Sequence, residues 1–495
     1  MNGTVARLVN RAVDLREGEG AALGWSFAYY FCLLCAYYIL RPIRDEMGVA
    51  GGVNNLAWLF TGTLVGMMLI HPVFTSLVKT LPRNRFVPLT YRFFIANLVI
   101  FFAVFQMIPE ENSVWIGRIF FIWVSVFNLF VISVFWSFMT DIYRSAQSKR
   151  LFGILAVGGT AGAIMGSSIT SALVSVLGPV NLLLVSALLL EAAARVSNAL
   201  EKSEEKLAVA ALRDEIKDAA KLASAPSAGE EISHMNAAPT QSPEPTDVQK
   251  ASAIKAVADK QSEIIGGGVF EGITDVLKSP YLIGIAVLML LFTITSTYLY
   301  FMQAEIVEGA SQDSRVRTQL FANIDLIVNI ITLITQLFLT GRILKWFGIG
   351  LSLAFLPLVS LVGFGILGAA PALAVLVIFQ ILRRAGNFAI QRPAREVLYT
   401  VLPRTEKYKA KNFNDTFVYR VGDQVGAWSY TAMGWLGLGV SSLAISMVPV
   451  SVVWLVLALW LGRRYRDYNT IQNATALQEP AADSVNVATS PAAPG

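Results

Sequence analysis

Twelve apolar stretches, each long enough to cross a bilayer as a helix, constrain this chain more than any other feature. About 20 helical residues, rising about 1.5 Å each, span a hydrocarbon layer of roughly 30 Å. The first six stretches cover residues 22–41, 55–78, 86–108, 114–138, 151–175 and 179–199. The second six cover residues 281–305, 318–340, 347–369, 371–391, 413–436 and 440–462. With 55% hydrophobic and 15% charged residues, the sequence predicts an all-α polytopic membrane protein with two six-helix halves and about twelve transmembrane helices.

The composition changes sharply between the two sets of stretches. Residues 200–268 are rich in charged residues, Ala, Pro and Ser, and predict a cytoplasmic linker that is partly disordered. We therefore predict an N-terminal segment (1–21), a first half (22–199), the linker, a second half (269–467) and a disordered tail (468–495). The sequence does not identify a partner for the linker.

Lys and Arg residues gather on one side of the predicted bundle. The basic groups are Arg83 and Arg85, Lys149 and Arg150, Arg342 and Lys345, residues 404–411, and residues 463–466. Because basic loops remain on the cytoplasmic side, both termini are expected in the cytoplasm of a bacterium, with the chain in the inner membrane.

Two adjacent arginines interrupt the tenth stretch. Arg383 and Arg384 lie about 18 Å into the layer, near the bilayer midplane. A charge there costs several kcal/mol, so such side chains usually face a watery cavity or a partner. Asn387 and Gln391 follow Arg383 at helical spacing and extend one polar stripe. The favoured interpretation is an anion site, and the alternative is a structural ion pair inside the bundle.

Further charges mark the ends of the first, seventh and eighth stretches. Arg41 and Arg44, with Asp45 beside them, stand at the predicted extracytoplasmic end of the first stretch, where snorkelling is an equal alternative to function. Glu305 ends the seventh stretch, and Asp325 lies in the eighth. Transporters built from two halves place substrate between them at mid-membrane depth, so these groups are expected to form a binding site and its gates.

Small residues and cysteines have a simpler interpretation. The run GILAVGGTAGAIMGSS in the fifth stretch predicts a face on which two helices approach closely. Cys32 and Cys35 form a C-x-x-C pattern inside an apolar stretch, which favours packing over redox or metal chemistry.

One region resembles a known transporter family. It carries the dipeptide Arg395-Glu396, then Tyr399, the alternating Lys407, Lys409 and Lys411, Asp415, and the pair Arg420-x-Gly422. This pattern resembles the ATP/ADP translocase (nucleotide transporter) family, of the major facilitator type. Supporting matches are FWSFMTDI, the Lys149-Arg150 pair and the charged end of the first stretch.

The resemblance implies exchange of ATP for ADP by alternating access, with basic residues contacting phosphates. The family's basic residue of the first helix falls on Arg41 or Arg44, and its acidic residue of the seventh on Glu305 or Gln303. Its basic residue after the tenth helix falls on Arg395. Two departures weaken the case for a triphosphate and leave another anionic substrate open: the fourth stretch lacks an early acidic residue, and Asp423 stands where the family tends to have lysine.

We predict a secondary active transporter of an organic anion, with ATP/ADP-type exchange as the favoured form. The predicted substrate-binding residues are Arg41, Arg44, Arg383, Arg384, Asn387, Arg395, Lys409, Lys411 and Arg420. The predicted gating or coupling residues are Asp45, Glu305, Asp325, Asp415 and Asp423. The expected partners are the lipid bilayer and the anion, not nucleic acid, and no catalytic residue, cofactor or metal is predicted.

Two alternatives remain open. The first is a proton-coupled major facilitator permease for another anionic solute. The second, from another class, is a membrane-embedded lipid-phosphate transferase or a transporter-like sensor. The sequence has no G-x-x-x-x-G-K-[ST] phosphate loop, which argues against transport driven by nucleotide hydrolysis.

Overall fold

The computed structural model describes residues 19–80, 82–143, 145–223, 279–402, 410–411 and 413–488, and within them every regular element is a helix. The first six long helices are α1 (Gly20–Ala50), α2 (Leu56–Thr80), α3 (Arg83–Met107), α4 (Glu110–Ile142), α5 (Ser145–Leu177) and α6 (Leu182–Ala223). A 3₁₀ turn, Val53–Asn55, connects α1 to α2. It follows Gly52, whose φ of 84° is a backbone conformation that favours glycine.

The second set is less regular than the first. It comprises α7 (Pro280–Ala310), α8 (Ser314–Phe338), α9 (Thr340–Ala369), α10 (Leu373–Gly386), α11 (Arg392–Leu398), α12 (Tyr419–Trp435) and α13 (Val440–Ala488). A π-turn, Asn387–Gln391, joins α10 to α11, and a 3₁₀ turn, Tyr399–Val401, follows α11. A second π-turn, Asn414–Val418, leads into α12. Both π-turns lie in the region that carries the predicted site, and such bulges are frequent at functional sites.

Eleven helical spans in the described part of the chain are long and apolar enough to cross a membrane, judged by length and composition. They coincide with every predicted stretch except 413–436. That stretch forms the second π-turn and the 17-residue α12, which carries Arg420 and Asp423 among its apolar residues. The predicted fold class, a polytopic all-α membrane protein of about twelve spans, is confirmed.

The chain divides into two compact units. The first comprises Met1–Arg44 and Val65–Gly266, and the second comprises Asp45–Leu64 and Gly267–Gly495. The last residues of α1 and the first residues of α2 thus belong with the C-terminal helices. Our boundaries at 22–199 and 269–467 stay a prediction, and they do not anticipate this grouping of residues 45–64.

Glycines bring α5 close to α1 in the first unit. A Cβ added to Gly162 would collide with the Phe31 carbonyl, and one added to Gly166 would collide with the Cys35 carbonyl. The backbone of α1 therefore packs directly on these glycines, as the small-residue run predicts. Cys35 is buried and Cys32 partly buried, and neither is in a disulfide.

A similar close approach joins α7 to α12 in the second unit. A Cβ at Gly422 would collide with the Thr293 hydroxyl, and one at Gly426 would lie 2.9 Å from Thr297 Cβ. This packing places the hydroxyl-bearing face of α7 against the charged first turns of α12. The buried core nearby includes Leu288 of α7 and Trp454 of α13.

Candidate functional site

Arg383 of α10 lies in a pocket of hydroxyl and carbonyl groups. It is 4% exposed. Its Nε donates to Ser360 Oγ at 3.1 Å and its Nη1 donates to Ser296 Oγ at 2.8 Å. Its Nη2 donates to Thr295 Oγ1 at 2.7 Å and to the Phe292 carbonyl at 3.2 Å. Four of the five N–H donors are therefore used, and the guanidinium is fixed in one orientation by α7 and α9.

The surroundings of Arg383 are neutral. The guanidinium carbon lies 5.4 Å from the ring centre of Phe292 and 6.0 Å from that of Trp454, distances at which an aromatic face attracts a cation. Among the described residues, no carboxylate forms an ion pair with it. Arg383 is thus a buried cation held by dipoles and rings, without an opposite charge beside it.

Arg384, its neighbour in sequence, is placed differently. Its Nη2 lies 2.5 Å from Oδ1 of Asp325 on α8, and the two side chains are 16% and 2% exposed. Asn329 donates to the Asp325 backbone carbonyl at 2.8 Å, one turn along α8. The ion-pair interpretation thus suits Arg384, whereas the anion-site interpretation suits Arg383. The sequence reasoning did not separate the two residues.

A second group of charges lies around α11. Arg395 Nη2 is 3.5 Å from Asp415 Oδ1, and Lys411 Nζ is 2.5 Å from Glu396 Oε2. Both pairs link α11 to the segment that leads into α12. Lys409 lies outside the described residues.

Tyr399 and Asn414 form hydrogen bonds beside this group of charges. Asn414 Nδ2 donates to the Tyr399 hydroxyl at 2.9 Å, and the Tyr281 hydroxyl donates to the Leu398 carbonyl at 2.9 Å. These bonds fasten the end of α11 to α7 and to the second π-turn. They position Arg395 without contacting its charge.

The first turns of α12 bring the two groups together. Arg420 Nη1 lies 3.1 Å from Asp423 Oδ2, and Thr297 of α7 donates to Asp423 Oδ1 at 3.5 Å. The guanidinium carbon of Arg420 lies 5.6 Å from the centre of the Tyr419 ring, and this ring lies 6.4 Å from the ring of Phe292, over which Arg383 is placed. Two aromatic rings therefore connect the surroundings of Arg420 with those of Arg383.

The first π-turn carries further polar groups. Thr340 donates to the Ala389 carbonyl at 2.7 Å and Gln336 donates to the Phe388 carbonyl at 3.2 Å, which satisfies carbonyls that the wider turn leaves free. Asn387 begins the turn and is half-buried. Gln391 ends it and is buried, and neither of its amide atoms has a hydrogen-bond partner in the described part of the chain.

The predicted gating carboxylates near the C-terminal end of α7 bind tyrosines. Tyr300 donates to Asp45 Oδ1 at 3.0 Å, and Tyr430 donates to Glu305 Oε2 at 2.9 Å. Next to Asp45, Glu46 forms a buried ion pair with Arg317 of α8 at 2.8 Å. These contacts attach the last residues of α1 to the second unit.

Arg41 and Arg44 belong to the first unit. Arg41 lies over the ring of Tyr38 at 5.6 Å, and Arg44 over the ring of Phe121 at 5.2 Å. Both residues lie inside α1, which continues to Ala50, and the residues after Arg44 belong to the second unit. Their position at the extracytoplasmic end of the first membrane stretch stays a prediction.

The hydroxyl groups around Arg383 are not among the predicted site residues. Thr293, Thr295, Ser296 and Thr297 come within five residues of an otherwise apolar helix. Such a run is a usable signal, since hydroxyls in a membrane helix hydrogen-bond to neighbouring helices. Tyr419 gave no comparable signal. Among the described residues, no group of three or more His, Cys, Asp and Glu side chains could hold a metal ion.

Comparisons with known proteins support the fold. The chain is similar to the crystal structure of an auto-inhibited peptide transporter of the POT family, with a TM-score of 0.54, 13% identity, and coverage of 90% of this chain and 96% of that chain. It is similar to a bacterial homologue of the iron transporter ferroportin in an inward-facing state, with a TM-score of 0.52, 11% identity, and coverage of 90% and 96%.

No model of a known protein family matches the sequence, and no curated protein matches it either. The structural similarity establishes a major-facilitator-like fold. Membership of the ATP/ADP translocase family stays a prediction.

Proposed function

We propose that this protein is a secondary active transporter that moves an organic anion across the membrane by alternating access. The observation that supports the proposal most is the buried Arg383, whose hydrogen bonds all go to neutral groups and which has no ion-pair partner in the described part of the chain. Guanidinium groups are costly to bury in a membrane protein, and they bind phosphate and carboxylate groups well. An anionic substrate would explain why α10 carries a buried guanidinium group, because the substrate would supply the opposite charge.

Exchange of nucleotides is the first form of this activity to test, because the region around Arg395 resembles the nucleotide transporters. In the resting structure, Arg395 and Lys411 are each paired with a carboxylate. A nucleotide phosphate would have to displace these carboxylates to reach the cations. The Lys411–Glu396 pair is 38% exposed on both sides, and exposed ion pairs contribute little stability, so its displacement is feasible.

The decisive experiment measures uptake of radiolabelled ATP into proteoliposomes that contain the purified protein. One set is preloaded with ADP and a matched set is empty. Uptake that requires internal ADP would establish nucleotide exchange. Absence of uptake in both sets would reject nucleotides as substrates, and binding without flux of any anion would identify a sensor.

A proton-coupled permease for another anion is a second candidate, favoured by the contacts of Asp423. This carboxylate accepts from Thr297 of α7 and pairs with Arg420, so a proton on it would release the arginine. Uptake of carboxylates and phosphate esters should then increase when the outside is acidified. The Asp423→Asn variant should transport without responding to the pH gradient, and an unchanged response would exclude Asp423 from coupling.

A further inference from the structure

We infer that the transported anion carries a single negative charge and that Arg383 is the residue that receives it. This inference rests on the proposed transport function and concerns the chemical class of its substrate. It distinguishes monocarboxylates and phosphate diesters, which carry one charge, from nucleoside polyphosphates, which carry several.

Arg383 differs from the neighbouring cations of the second unit in that it has no carboxylate of the described residues beside it. Four cations, Arg384, Arg395, Lys411 and Arg420, each have a carboxylate within 3.5 Å. Among the described residues, Arg383 forms hydrogen bonds only with neutral groups. Of these five cations, Arg383 is the one without a carboxylate beside it in the described part of the chain, so its charge has no local counter-charge. A ligand with one negative charge balances it, whereas further negative charges would be buried without a counter-charge.

The carboxylates of α7 and α8 do not provide the balance. Asp325 is occupied by Arg384. Glu305 lies nine residues beyond Ser296 on α7, about 13 Å along the helix axis, and accepts from Tyr430. A missing counter-charge at Arg383 is thus a property of its position and not of one side-chain rotamer.

The Arg383 guanidinium has few hydrogen-bond donors left for a ligand. Its Nη2 group is fully used by Thr295 and the Phe292 carbonyl, its Nε by Ser360, and one hydrogen of Nη1 by Ser296. One N–H on Nη1 remains available. The rings of Phe292 and Trp454 also lie within 6.0 Å of the guanidinium carbon. Arg383 can therefore offer one hydrogen bond to an incoming oxygen, and not the two-pronged clamp with which arginine grips phosphate groups.

Two buried polar side chains farther along the same helical segment have atoms without a hydrogen-bond partner among the described residues. Gln391 has an unused amide, and Arg395 has an Nε without a hydrogen-bond partner in the described part of the chain. Buried polar groups left without partners cost about 1–3 kcal/mol each. Neutral hydrogen-bonding groups on the body of the substrate would satisfy them.

The test uses pairs of ligands that share one body and differ by one charge. Suitable pairs are 3′,5′-cyclic AMP with AMP, methyl acetyl phosphate with acetyl phosphate, and monomethyl succinate with succinate. Binding to the purified full-length protein is measured by the shift of its melting temperature, and transport by uptake into proteoliposomes. We expect the singly charged member to bind at least tenfold more tightly in any pair that binds.

Variants assign the preference to Arg383. The Arg383→Gln variant should weaken binding of the singly charged ligand at least tenfold and favour its neutral amide or ester. The Arg383→Lys variant keeps the charge and should keep the preference with lower affinity. Arg392→Gln is the matched control, because Arg392 is an exposed arginine of the adjoining helix α11. The Lys variant and the wild-type ligand pairs remain informative if Arg383→Gln does not fold.

The outcomes separate this inference from the proposed function. Tighter binding of the doubly charged members, or an unchanged preference in Arg383→Gln, would overturn the inference while leaving anion transport intact. Binding and uptake of no anion in any pair would reject the proposed transport function itself.

Discussion

Replacing Arg384 with methionine removes one member of the ion pair between α10 and α8. The remaining Asp325 is 2% exposed, and its Oδ1 lies 2.5 Å from Arg384 Nη2 in the native protein. Removing one partner of a buried pair costs about 3–5 kcal/mol, because the other charge stays in a medium that solvates it poorly. At about 2–4 °C per kcal/mol for a large domain, the melting temperature should fall on the order of 10 °C.

Replacing both partners should restore most of that stability. The double variant Arg384→Met with Asp325→Leu leaves no buried charge, and such replacements are often neutral within about 1 kcal/mol. Because each single replacement costs about 3–5 kcal/mol, the two effects should be strongly non-additive, with a coupling energy of at least about 5 kcal/mol. The assay is thermal unfolding of the purified single and double variants in detergent, followed by tryptophan fluorescence.

The same variants test how the neighbouring arginines divide their roles. If Arg384 is structural, the double variant should bind the anion as the wild type does. Single variants that melt within about 1 °C of the wild type would refute the ion-pair reasoning. Losses of stability that simply add in the double variant would refute it as well. Lost anion binding in a stable double variant would return Arg384 to the substrate site.

Two further predictions concern packing and surface charge in the first unit. Gly162→Ala places a methyl group against the Phe31 carbonyl and should destabilise the protein by about 1–3 kcal/mol. In the control variant Gly153→Ala the new methyl group meets nothing within 4 Å, so the protein should gain about 0.5–1 kcal/mol of stability. Equal melting temperatures for these two variants would contradict the close packing of α5 on α1. Arg195→Ala breaks an exposed pair with Glu191 at 2.9 Å and should cost less than about 1 kcal/mol, so a large loss of stability on chemical unfolding would show that this pair is part of a wider network.

Local patterns were enough for most of the helices and for one ion pair. Eleven of the twelve apolar stretches coincide with spans of the described structure, because crossing a membrane needs a minimum length of apolar residues. The pair between Glu191 and Arg195 is one that sequence spacing indicates, because the two residues lie one turn apart on one helix. The close packing of α5 followed from the glycines themselves.

Contacts between distant parts of the chain were beyond the sequence. Nothing local indicates that Arg384 meets Asp325 while Arg383 meets Ser296, because a one-residue step turns a helical side chain by about 100° toward a different neighbour. The grouping of Asp45–Leu64 with the C-terminal helices was likewise missed. It depends on contacts such as that of Tyr300 with Asp45, which lie far apart in the chain.

The sequence by itself determined that this is a helical membrane protein with costly charges in its interior, since hydrophobic length and charge are properties of single segments. The tertiary structure decided which of those charges are neutralised. It paired Arg384 with a carboxylate, surrounded Arg383 with hydroxyls and rings, and placed Arg420 over the ring of Tyr419. The physical reason is that the free energy of a buried charge depends on its immediate neighbours, and packing alone selects those neighbours.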